Sequence, residues 1–154
     1  MLDKIKKTPE ITPQTVKKFD GKFEGEIDNI CEKCRFDIEL NDGTKFEYKS
    51  YNEASINRIS TSDAFLKQHL SYLQDAEGIN KIKYEFDAKK FANRDKIVEQ
   101  FRKMYEKNAQ EVFSTMSPQL REVLLGKGNA NRFDLFEQSI GNSNSRLYEF
   151  INLK

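Results

Sequence analysis

Two runs of alternating side chains, Arg35–Leu40 and Thr44–Tyr51, flank Asn41-Asp42-Gly43, and no other feature restricts the fold as much. An Asn/Asp-Gly step between such runs is a strong hairpin signal. Strand side chains alternate between faces. Phe36, Ile38 and Leu40 therefore form one row of the first strand, and Arg35, Asp37 and Glu39 the other. On the second strand Phe46 and Tyr48 oppose Lys45, Glu47 and Lys49. The apolar rows coincide only if cross-strand partners have residue numbers of equal parity, which requires a three-residue loop. Read as Asp42-Gly43-Thr44, with Gly43 in the left-handed region, this loop pairs Asn41 with Lys45. Glu39 then lies across from Glu47, and Asp37 from Lys49. The charged row is expected to face solvent, and Ile38 and Tyr48 the core.

Around this hairpin the remaining elements order themselves. Thr12 and Pro13 predict a short helix to Phe19. A first strand is predicted over Lys22–Ile30, with Cys31–Cys34 as the turn before the second. Thr61 or Ser62 caps a helix to about Ala76, with Phe65, Leu66, Leu70 and Leu73 facing the core. Ile82, Tyr84 and Phe86 alternate in a strand over Lys81–Asp87. Helical spacing recurs from about Asp95 to Phe113, Ser117-Pro118 opens another helix, and two short helices close the chain. The order predicts an α+β fold with helices covering the sheet. The 154 residues suit one domain, with its core over about 22–88 and a helical tail over about 95–154.

Composition removes several function classes. The 26 basic residues nearly cancel the 25 acidic ones, so net charge gives no argument for a polyanionic partner. One histidine, His69, excludes chemistry that needs a histidine pair. Cys31 and Cys34 form a lone C-x-x-C; with His69 as the sole further strong ligand they make half a zinc site, and a turn with two incidental thiols or a disulfide is the competing reading. There is no apolar run of membrane-spanning length and no signal-peptide pattern, so a soluble chain is expected, either cytoplasmic or delivered as part of a longer protein.

Taken alone, the charged row is an ordinary solvated sheet face. Asp37 followed by Glu47-Tyr48-Lys49 across a hairpin, however, resembles the D…ExK signature of the PD-(D/E)xK nucleases. The order of meander, helix and strand also resembles the restriction-endonuclease-like core of that superfamily. Gln68-His69-Leu70-Ser71-Tyr72 matches the Q-x-x-x-Y of its RecB-type branch, on the helix after the ExK strand. Gln68 and Tyr72 are four apart, on one helix face away from the leucine stripe. The resemblance covers roughly Lys22 to Ala88.

It implies a Mg²⁺- or Mn²⁺-dependent DNA endonuclease. Asp37, Glu47 and the backbone carbonyl of Tyr48 would hold the cation, and Lys49 would orient the attacking water. Gln68 and Tyr72 would support the site and contact the substrate backbone; Arg58 and scattered lysines are candidate phosphate contacts. Asp28, in Gly25-Glu26-Ile27-Asp28, is the second choice of metal-binding aspartate after Asp37, and Glu39 the third. The domain further resembles the toxin modules of secreted polymorphic toxins, which implies delivery into a target cell and a cognate immunity protein. A restriction or repair nuclease, and a non-catalytic module binding nucleic acid or protein, are the alternatives.

Overall fold

In a computed structural model of the chain, residues 8–22, 35–74 and 78–154 are described. Among these residues five strands form one sheet in the order β1-β2-β3-β4-β5: β1 Val16–Lys22, β2 Arg35–Leu40, β3 Lys45–Lys49, β4 Ile82–Phe86 and β5 Ile151–Leu153. The first three run antiparallel, whereas β4 is parallel to β3 and β5 parallel to β4. A parallel neighbour needs a crossover. The β3–β4 crossover is supplied by α1 Arg58–Thr61, α2 Asp63–Leu73 and α3 Gly78–Lys81. The β4–β5 crossover carries α4 Asp95–Lys107, α5 Ala109–Thr115, α6 Pro118–Leu125 and α7 Phe133–Gly141. The α+β class, the hairpin, and the helix-then-strand order agree with the sequence reading.

Local chemistry sets the element ends. Ser62, of the two candidates, caps α2, its hydroxyl accepting from the Phe65 amide at 3.2 Å. Ser117 does the same for α6 through Leu120, with Pro118 in its first turn. The helix expected to run unbroken from Asp95 to Phe113 is instead two. Asn108 sits at φ −124°, ψ 26°, and its side-chain amide donates to the Met104 carbonyl at 2.8 Å, which closes α4 before α5 begins.

Two expectations at the chain's ends are corrected. Residues predicted as a helix over Pro13–Phe19 form a turn and then β1. Thr15 accepts from the Thr12 amide at 2.8 Å, and the strand finds a ladder on β2 that a seven-residue isolated helix cannot match in stability. Most of the strand expected over Lys22–Ile30 lies outside the described residues, as do Cys31, Cys34 and Asp28. The tail is not purely helical, because Ile151–Leu153 returns to the sheet beside β4. Arg94, ahead of α4, fixes that return by donating to the carbonyls of Ile151 and Tyr148.

The two faces of the sheet are unequal. Ile11, Ile38, Leu40 and Phe46 make a small cluster on one, with Val16 and Tyr48 against it. The other carries the main core, where Ile82, Tyr84 and Phe86 meet Phe65, Leu70, Phe101 and Tyr105 from the helices. Phe36 joins this second core rather than the row of Ile38. The β2–β3 ladder ends at Ile38 opposite Phe46, while Phe36 stays paired with Gly21 of β1. Among the described residues no helix is long and apolar enough to cross a membrane.

Candidate active site

The hairpin loop comprises Asn41-Asp42-Gly43, one residue earlier than expected. The Leu40 amide donates to the Thr44 carbonyl at 2.8 Å and the Gly43 amide to the Leu40 carbonyl at 3.0 Å. Asp42 accepts from the Thr44 amide at 2.9 Å, and Gly43, at φ 85°, takes the left-handed final position. Parity is preserved but the register moves by two. Glu39 pairs with Lys45, not with Glu47. Continued one step, the same register sets Asp37 across from Glu47, not from Lys49. There the ladder stops, and the Asp37 carboxylate accepts the Tyr48 amide at 2.7 Å in place of a backbone carbonyl.

A second correction concerns solvent. Lys45, Glu47 and Lys49 are in register with Ile82, Tyr84 and Phe86 of β4, so the charged row of β3 shares a face with the apolar row of β4. Helix α2 lies over that face. Glu47 is therefore only 4% exposed, and the Lys49 side chain only 12%. A hairpin considered alone cannot reveal this, because the burial comes from the crossover that brings β4 alongside.

Buried charges need partners, and both have them. Glu47 Oε2 accepts from the Lys49 ammonium at 3.1 Å, and Oε1 accepts from the Gln68 side-chain amide at 3.2 Å and from the Tyr72 hydroxyl. Gln68 completes a ring by accepting from Lys49 at 3.0 Å through its own Oε1. The four-residue spacing of Gln68 and Tyr72 on α2 aims both at the carboxylate, as expected from their shared face. Burial pushes the Glu47 carboxyl above its usual range, and Asp37 adds to the rise; Lys49 and the Tyr72 hydroxyl oppose it. The balance leaves a carboxylate whose ionised form is costly to keep, and which a cation would stabilise.

Comparison with family models, curated proteins and solved structures finds no match.

The donor types suit a hard cation. Asp37 and Glu47 are oxygen ligands placed on facing strands. Among the described residues no group of three acidic, histidine or cysteine side chains gathers at one point, and those residues would offer two carboxylates and the Tyr48 carbonyl. Mg²⁺, which keeps several waters and takes oxygens from its substrate, is satisfied by such a set. Glu39 is drawn elsewhere, to the Lys17 ammonium at 3.2 Å. His69 is unsuited to metal: it is fully buried, with Nδ1 3.1 Å from the Tyr84 hydroxyl and Nε2 2.7 Å from that of Tyr105. Burial, aided by the charge of Lys49, lowers its pKa to about 3, so the ring is neutral.

Two neighbours of the site were read from the sequence only as core-facing residues of their helix and strand. The Lys49 ammonium lies 5.2 Å from the centroid of the Phe65 ring and 5.4 Å from that of Tyr84. Both had a signal. Phe65 precedes Gln68 by three and Tyr72 by seven, hence shares their helix face, and Tyr84 is central in the alternating row of β4.

Proposed function

We propose that the chain is a metal-dependent nuclease that hydrolyses phosphodiester bonds in DNA. One observation carries the reading: a carboxylate, an ammonium and an amide close into a hydrogen-bonded ring beside Asp37, and a phenol donates to the same carboxylate, the four spaced E-x-K on a strand and Q-x-x-x-Y on the next helix. A purely structural ion pair at a buried position has no need of two further polar side chains, since apolar residues of similar volume are often as stable there.

In this reading Asp37 and Glu47 hold Mg²⁺ or Mn²⁺, with the Tyr48 carbonyl as third protein ligand. The bound cation would offset charge on the scissile phosphate and acidify a water. Tyr72 and Gln68 fix the Glu47 carboxylate, and Lys49 presents its ammonium to the attacking water and to charge developing on the phosphate. As part of the same proposal, the domain acts as the toxin of a delivered antibacterial protein, and a producing cell would shield the site with an immunity protein. The test is incubation of the purified chain with supercoiled plasmid and Mg²⁺, with and without EDTA, alongside expression in bacteria. Cation-dependent nicking, and toxicity relieved by Lys49→Ala, are expected. A folded protein that cuts neither DNA nor RNA and harms no host would overturn the enzyme reading in favour of a binding module.

A further inference from the structure

We propose that Phe65 and Tyr84 form an aromatic seat that positions the Lys49 ammonium for reaction. The inference rests on the nuclease reading for its purpose, but not for its geometry.

Lysine is a flexible four-carbon stem ending in a strongly hydrated point charge, and a catalytic role needs that freedom removed. Hydrogen bonds to Glu47 and Gln68 restrain the ammonium from its polar side. Were these its whole support, Lys49 would be free to follow whenever Glu47 turned to a cation. The seat supplies a restraint that does not depend on Glu47. Two ring faces lie within 5.2 and 5.4 Å of the nitrogen, inside the range where the aromatic quadrupole attracts a cation.

The rings are themselves immobilised. Phe65 and Tyr84 are in contact at 5.9 Å, and both lean on Phe101 at 5.6 Å. The Tyr84 hydroxyl meets His69, whose other nitrogen meets Tyr105, so the far end of the phenol is anchored. A neutral His69 suits this place: an imidazolium would repel the lysine charge that the seat is built to hold. The strand supplies the platform, since Tyr84 is the register partner of Glu47.

Proton and carbon NMR of the full chain, in EDTA and then with Mg²⁺, tests the seat without reference to cleavage. Protons over ring faces are shifted upfield. The ε-methylene signal of Lys49, assigned by its loss in Lys49→Arg, is expected upfield of the other lysines and to remain so with Mg²⁺ bound. Phe65→Leu should move it toward the common position; Tyr84→Phe, which keeps the ring, should not. For cleavage, Phe65→Leu is expected to lower kcat on the order of tenfold with KM unchanged, and Tyr84→Phe to change it less than about threefold. A Lys49 signal at the common lysine position in folded, active protein would overturn the seat and leave the nuclease reading standing. An upfield signal in protein that cuts nothing would retain the seat as geometry and refute the nuclease reading.

Discussion

Replacing Glu47 by alanine in the metal-free protein separates a buried site from a solvated one. The substitution leaves the Lys49 ammonium, with its side chain 12% exposed, without its carboxylate, and takes from Tyr72, 1% exposed, the acceptor of its hydroxyl. Breaking a buried ion pair from one side costs about 3–5 kcal/mol. Against this, burial already opposes ionisation of Glu47, and relief of that penalty is returned on truncation. The net expectation is a loss of ~2–4 kcal/mol, or a midpoint lower by roughly 4–16 °C for a domain of this size. Urea unfolding at pH 7 in EDTA, followed by circular dichroism, measures it. Adding Lys49→Met should recover roughly half, because an apolar chain then fills the space between the two rings and no charge is stranded. A change within about 0.5 kcal/mol for Glu47→Ala alone would refute the argument, for that is what a surface position gives.

The raised Glu47 carboxyl fixes a sign in pH. The folded state holds this proton more tightly than the unfolded chain, so the contribution favours folding below the ordinary carboxylate range and is lost as pH rises through the folded value. The urea midpoint of the unaltered protein relative to Glu47→Gln should therefore fall across that window; a rise would contradict it. Tyr72→Phe removes one donor to Glu47 while keeping the ring, and is expected to weaken Mg²⁺ dependence of cleavage on the order of tenfold, read by titrating the cation. Asp37→Asn should abolish cleavage where Glu39→Gln does not, since Glu39 is held by Lys17; Asp28→Asn assayed beside them decides whether that residue contributes. The His69 imidazole, at about 3, should show no change in its ring-proton shifts between about pH 5 and 8.

Much of the site was legible because strand and helix periods are local properties. Glu47 and Lys49 share a row by parity, Gln68 and Tyr72 share a face by spacing, and both relations hold. The loop position was also within reach. A type I turn followed by a left-handed residue places glycine last, which selects Asn41-Asp42-Gly43 over the reading with Gly43 in the middle. What could not be read was burial. The charged row looks solvent-facing in the hairpin, and only the parallel pairing of Glu47 with Tyr84 puts it under α2. Likewise β1 was obscured because Thr12 and Pro13 imitate a helix start, and β5 because three residues carry no periodicity of their own.

The parallel attachment of β5 bears on how the protein reaches its working form. Tyr84 is in register with Ile151, and its amide donates to the Phe150 carbonyl at 2.9 Å, a partner reached only after the chain has passed through α4 to α7. Phe150 also packs its ring against Tyr84, 5.4 Å away, and against Phe101, 5.0 Å away. Such pairings between distant segments are the slow steps of folding, since loop entropy is lost before any contact is gained. The hairpin with Glu47 and Lys49 joins neighbouring segments and is expected to form early, whereas the platform beneath the lysine is expected to close late. Nascent and partly folded chains would thus carry Glu47 and Lys49 without that support, and under the proposed function activity is expected to arrive together with the last strand.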